Sequence, residues 1–72
     1  MKVFLRDVDT GLFLRRPSGW VESLFEATDF REIEHAQEYA TTCQKPNLEV
    51  FLTSDDRQIL GGFRVERERD GH

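Results

Sequence analysis

The N-terminal part of the chain contains two short runs of apolar residues, among them β-branched and aromatic ones, that flank a turn. The runs are KVFLRD (2–7) and LFLRR (12–16), and they predict a β-hairpin with a loop over 8–11. Gly11 can adopt positive φ in this loop, and the Asp9 side chain can bond the turn backbone. We prefer the register that pairs Arg6 with Phe13, because a three-residue loop mixes apolar and charged side chains on one face. One face then carries Val3, Leu5, Leu12 and Leu14, and the other carries Phe4, Arg6, Phe13 and Arg15.

A helical period follows in TDFREIEHAQEYATTC, residues 28–43. Asp29 and Glu32 have the spacing of a capping box, in which two side chains satisfy free backbone N–H groups of the first turn. Pro46 disfavours helical geometry in the residue before it, so the helix is expected to end near Gln44. The apolar positions that recur at helical spacing are Ile33, Ala36, Ala40 and Cys43.

Three further runs predict strands. WVESLF (20–25) follows the turn RPSG and is short. NLEVFLTS (47–54) alternates apolar and polar residues, which is typical of a half-buried strand. QILGGFRVERE (58–68) is interrupted at Gly61 and Gly62, and this glycine pair indicates a bulge or a sharp bend.

The order of elements is therefore β-β-(β)-α-β-β. This order predicts an α+β domain over residues 1–67, a small antiparallel sheet of four to five strands with one helix packed on one face. Residues 68–72 are expected to form a disordered polar tail. The predicted core is Val3, Leu5, Leu12, Leu14, Ile33, Ala36, Ala40, Leu48, Val50 and Leu52, with Phe30 and, if it is not on the surface, Trp20.

Charge and cysteine content narrow the possible partners and the compartment. The formal net charge is −4, so non-specific attraction to nucleic acid or to an anionic membrane is not expected. Cys43 is the only cysteine, which excludes an intramolecular disulfide and a Cys-rich zinc site. The N-terminal ten residues lack an apolar export signal. We therefore expect a cytoplasmic protein with no membrane partner.

The residues that could carry catalysis lie in unfavourable patterns. Cys43 and His35 are eight residues apart on the helix, a rise of about 12 Å, which is beyond hydrogen-bond reach. Glu32, His35 and Glu38 do not have the spacing of a known metal motif. The Gly61–Gly62 pair has no following helix to bind a phosphate. We therefore expect a non-enzymatic protein with no cofactor and no metal.

The second face of the hairpin is the strongest candidate for a binding surface. The predicted contact residues are Phe4, Arg6, Phe13, Arg15 and Phe51, with Arg16 and Trp20 at the margin. Aromatic and arginine side chains are enriched at protein interfaces, where rings supply apolar area and guanidinium groups pair with carboxylates. The prediction is a binding or adaptor module whose partner is another protein or a second copy in a homodimer. The alternative is a nucleic-acid accessory protein that stacks bases on the same rings.

Overall fold

The computed structural model describes residues 1–43 and 45–65. They form a five-stranded antiparallel sheet with one helix on one face, so the predicted α+β class is confirmed. The elements are β1 (Lys2–Asp7), β2 (Phe13–Arg15), β3 (Gly19–Val21), α1 (Ile33–Thr42), β4 (Leu48–Thr53) and β5 (Ile59–Arg64). The strand order is β3-β2-β1-β4-β5, and α1 packs on β1 and β4. The predicted tail, 68–72, lies outside the described residues, and the domain boundary at residue 67 stays a prediction.

The first hairpin has the preferred register. Arg6 pairs with Phe13, and the Asp7 N–H donates to the Leu12 carbonyl at 2.8 Å. Gly11 adopts a φ of 78°, as the turn requires. The predicted role of Asp9 is wrong, because the carboxylate that bonds the turn backbone belongs to Asp7, which accepts from the Asp9 N–H at 3.0 Å.

β1 and β2 pair only near this turn, and residues 28–30 lie between their far ends. The Phe30 N–H donates to the Val3 carbonyl at 2.7 Å, and the Thr28 N–H donates to the Leu14 carbonyl at 3.0 Å. Asp29 Oδ1 accepts the Val3 N–H at 3.0 Å. This short segment therefore satisfies backbone groups that a longer hairpin would have paired between its own strands.

The predicted capping box is wrong. The helix begins at Ile33, and its N-cap residue, Glu32, makes no side-chain capping bond. The Asp29 carboxylate bonds the backbone N–H groups of Val3 and Arg31 instead, and Arg31 has a φ of 70°, which is incompatible with a helical turn. The Asp29 side chain therefore bonds β1 and not, as the local pattern predicts, the N-terminus of the helix.

The predicted apolar stripe of the helix is confirmed. Ala36 and Ala40 are fully buried against the sheet, while Ile33 and Cys43 pack on the core with part of their surface exposed. The helix ends at Thr42, close to the predicted end. The core on this side of the sheet consists of Val3, Leu5, Leu14, Phe30, Ala36, Ala40, Leu48 and Val50.

Some predicted elements and core positions differ in the structure. β3 ends at Val21, and residues 22–25 leave the sheet, so the predicted third strand is too long. Leu12 and Leu52 are only partly buried, and Trp20 is a partly buried residue packed against the core. Among the described residues, no helix is long and apolar enough to span a membrane.

Candidate functional site

The five predicted contact residues lie together on the face of the sheet that α1 does not cover. In the strand registers, Arg6 pairs with Phe13 on one side and with Glu49 on the other, and Phe4 pairs with Phe51. Arg15 lies two residues after Phe13 on β2 and therefore shares this face. The sequence pattern thus predicts the shared face correctly.

Two of the three predicted contact rings are buried in the isolated chain. Phe4 is 1% exposed and Phe13 is 9% exposed, whereas Phe51 is half-buried. The Phe13 ring stands edge-on to Phe4, at a centroid distance of 6.4 Å, and to Phe51, at 5.3 Å. The three rings form a second apolar cluster, which we call the phenylalanine cluster. The apolar area of Phe4 and Phe13 stabilises the fold, and a partner-binding role for them stays a prediction.

Two connecting segments meet through Phe25 and Arg57. Phe25, in the connection between β3 and α1, lies 4.4 Å from the guanidinium carbon of Arg57, in the turn between β4 and β5. The connection therefore reaches from the β3 side of the sheet to the β4–β5 side. Phe25 remains 76% exposed. Sequence reasoning missed this contact because the two residues are far apart in the chain.

The arginines of the predicted surface have different environments. Arg6 Nη1 donates to Glu49 Oε1 at 2.8 Å across β1 and β4, so this guanidinium already has a carboxylate partner. Arg15 is exposed. Arg16 lies over the Phe30 ring at 5.3 Å, on the side of the sheet that carries α1. Arg16 is therefore not part of the predicted face.

Trp20 also lies on the helix side of the sheet. It pairs with Leu14 in the register of β2 and β3, and Lys45 Nζ lies 5.2 Å from the centre of its ring. On the same side of the sheet, the Tyr39 hydroxyl donates a hydrogen bond to the Pro17 carbonyl oxygen at 2.6 Å. The side chains of residues 12–20 therefore lie on both faces of the sheet and do not form one binding surface.

The largest apolar surface that sequence reasoning missed is β5, the edge strand of the described sheet. No residue of β5 is buried, and Ile59, Leu60 and Phe63 are 69%, 59% and 39% exposed. Residues 58–63 carry no charge in a chain that is 33% charged, which is the sequence signal that could have found this surface. We call Ile59, Leu60 and Phe63 with the β5 backbone the β5 edge.

The glycine pair in β5 produces the predicted bulge. Leu52 pairs with Gly61 and Thr53 pairs with Ile59, so Leu60 is the extra residue. Gly61 has a φ of 146°, a conformation that favours glycine. Phe51 pairs with Gly62, which has no side chain to cover the Phe51 ring. The phenylalanine cluster therefore lies next to the β5 edge, at Gly62.

Asp7 is a buried carboxylate, 2% exposed, at the turn of the first hairpin. Burial acts to raise its pKa, but hydrogen bonds from Lys45, the Asp9 N–H and Thr10 outweigh burial and hold the pKa below its usual value near 3.8. Lys45 Nζ lies 3.2 Å from Asp7 Oδ2. Asp29 is similar: burial acts to raise its pKa, but bonds from the Val3 and Arg31 N–H groups, together with the Lys2 ammonium, outweigh burial and lower the pKa.

These two carboxylates predict acid-sensitive stability. A folded-state pKa below the unfolded value stabilises the fold above the unfolded pKa, near 3.8, and this contribution is lost as pH falls through the folded pKa. We expect the free energy of unfolding to fall below about pH 4. Urea denaturation of the wild type and of Asp7→Asn checks this. The two proteins should differ most at neutral pH and least near about pH 3, and an unchanged difference would contradict the assignment to Asp7.

Within residues 1–43 and 45–65, no group of three or more His, Cys, Asp or Glu side chains is placed to hold a metal ion. His35 Nε2 lies 3.6 Å from Glu32 Oε1 on the exposed side of the helix. Comparison of the chain with models of protein families, with curated proteins and with solved structures gives no match.

Proposed function

We propose that this protein is a small non-catalytic module that binds another protein chain along the β5 edge. The observation that carries the proposal is an edge strand whose residues 59–63 are uncharged and include three exposed large apolar residues. Soluble proteins normally protect such an edge with charges, proline or a very short strand. β5 has six residues, and its charge-free part presents apolar side chains where protective charges would stand.

The position of β5 in the fold supports the same proposal. α1 packs on β1 and β4, so it leaves both faces of β5 without a helix. An added strand could form main-chain hydrogen bonds along this edge, and the exposed side chains would add apolar contact area, which is the usual way in which proteins recognise an extended segment.

The residues that the sequence predicts as contacts take a smaller part in this proposal. Phe51 lies beside Gly62 and can extend the apolar surface of a partner bound at the β5 edge. Arg15 is exposed on the same face, two strands further away. A nucleic-acid platform needs rings that bases can reach. The burial of Phe4 and Phe13 therefore favours a protein partner over the nucleic-acid alternative.

Paired capture experiments test the proposal. Leu60→Lys places a charge on the β5 edge, and Thr41→Lys makes a matched change at an exposed residue of α1. Wild type and Thr41→Lys are expected to retain the same protein from a lysate of the source cells, and Leu60→Lys is expected to lose it. Far-UV circular dichroism confirms that both variants fold.

Amide exchange then locates the binding surface, and the salt dependence of binding shows whether the captured partner is protein or nucleic acid. Protection of the β5 amides by the purified partner supports the proposal. Capture that is identical for all three baits, or a partner that protects no amide of β5, would reject the β5 edge as the binding surface. Binding that weakens steeply with added salt and is removed by nuclease would instead indicate nucleic acid.

A further inference from the structure

The hydrogen bonds between β4 and β5 show which backbone groups of β5 point away from β4. The Val65 N–H donates to the Leu48 carbonyl at 2.9 Å, and the next residues pair Glu49 with Arg64. In an antiparallel ladder the bonding direction alternates from residue to residue. The N–H and C=O groups of Arg64 and Gly62 therefore point away from β4, and those of Phe63 point towards it.

We propose, on the basis of the proposed function, that the chain bound at the β5 edge is a second copy of this protein. The two β5 strands run antiparallel about a two-fold axis at Gly62. Gly62 then exchanges hydrogen bonds with Gly62 of the second copy, and Arg64 lies opposite Leu60. In this register the outward-pointing groups of Gly62 meet the same groups of Gly62 in the second copy, and those of Arg64 face the backbone of the bulged residue Leu60.

The side chains of β5 are complementary in the same register. Gly61 lies opposite Phe63 of the second copy, and a Cβ built on Gly61 would have no other atom within 4 Å. This open space can accept the exposed Phe63 ring, and aromatic residues opposite an edge glycine are known to stabilise strand pairs. The two-fold axis creates this contact twice.

The opposite pair, Leu60 and Arg64, also fits. The aliphatic part of an arginine can cover a leucine while its charged end stays in water. No like charges face each other, because residues 58–65 carry only one charged side chain, Arg64. Within residues 58–65 the contact therefore contains no acidic side chain.

The strand order limits this assembly to two copies. Pairing of β5 with β5 gives a continuous ten-stranded sheet, since each copy contributes five strands. Each end of that sheet is β3, which has only three residues. A strand this short is a poor template for further pairing, so a closed dimer is expected rather than a fibre.

Sedimentation equilibrium over a concentration series tests the dimer with two variants of one residue. Arg64→Pro removes the outward N–H, whereas Arg64→Ala removes the same charge and keeps that N–H. We expect Arg64→Ala to dimerise somewhat more weakly than wild type, because it loses the cover over Leu60, and Arg64→Pro to dimerise about tenfold or more weakly than Arg64→Ala. A wild type that stays monomeric at every concentration would overturn the inference.

Amide exchange in the wild type provides a second test that needs no variant. The Gly62 and Arg64 amides should become more protected as the protein concentration rises. The Phe63 amide, which points to β4, should be protected at every concentration. A dimer without added protection at Gly62 uses another surface and would also overturn the inference. A monomer that still captures a partner through β5 would leave the proposed function intact. A monomer that captures no partner through β5 would reject the dimer and the proposed function together.

Discussion

Phe4→Ala is expected to leave the protein largely unfolded at room temperature. Phe4 is 1% exposed and packs in the phenylalanine cluster, and truncation of such a ring costs about 3–5 kcal/mol. A single core in a domain of this size supplies only about 3–5 kcal/mol of net stability. Urea denaturation followed by far-UV circular dichroism measures the loss.

Arg15→Ala is the matched control for this prediction. Both residues lie on the face away from α1, but Arg15 is exposed, and its truncation should change the free energy of unfolding by less than about 0.5 kcal/mol. Phe4→Leu gives a milder version with an expected cost of about 1 kcal/mol, should the alanine variant not fold at all. Equal stability of Phe4→Ala and Arg15→Ala would return Phe4 to the candidate binding surface.

Gly62→Ala is expected to destabilise the protein by about 1–3 kcal/mol. A Cβ on Gly62 would lie 2.7 Å from the Val50 carbonyl oxygen and 3.5 Å from the Phe51 Cα. Val50 is fully buried, so its backbone cannot move away, and β5 would have to separate from β4. The midpoint of urea denaturation, compared with that of wild type, gives the result.

Gly19→Ala is the control for the second prediction. Gly19 lies on the other edge of the sheet, and its Cβ would come no nearer than 3.5 Å to the Arg15 carbonyl oxygen, which is an ordinary contact. This variant should stay within about 0.5 kcal/mol of wild type. If both glycine variants lose the same stability, the close approach to Val50 is not the cause.

The presence of apolar packing on both faces of the sheet changes how the predicted site is interpreted. The helix covers one face, and the phenylalanine cluster fills part of the other. If Phe4 and Phe13 bound a partner, they would have to leave the apolar packing that stabilises the fold. A small domain has too little net stability for that. The β5 edge carries no such conflict, because none of its residues is buried.

The sequence by itself determined the local features of this protein. The period of two in β1 assigned Phe4 and Leu5 to opposite faces, and the separation of apolar from charged side chains favoured the register that pairs Arg6 with Phe13. The helical period of the apolar residues placed Ala36 and Ala40 against the sheet. Each of these depends on residues within a few positions of one another, where backbone geometry leaves few choices.

Only the tertiary structure decided which of these residues stay in contact with water. Alternation separates two faces, but it does not show whether distant chain covers the second face, so the burial of Phe4 and Phe13 was not predictable. The same holds for Asp29, which bonds β1 instead of capping the helix. Long-range pairing placed β4 between β1 and β5 and left β5 at the edge of the described sheet, where its apolar side chains are exposed.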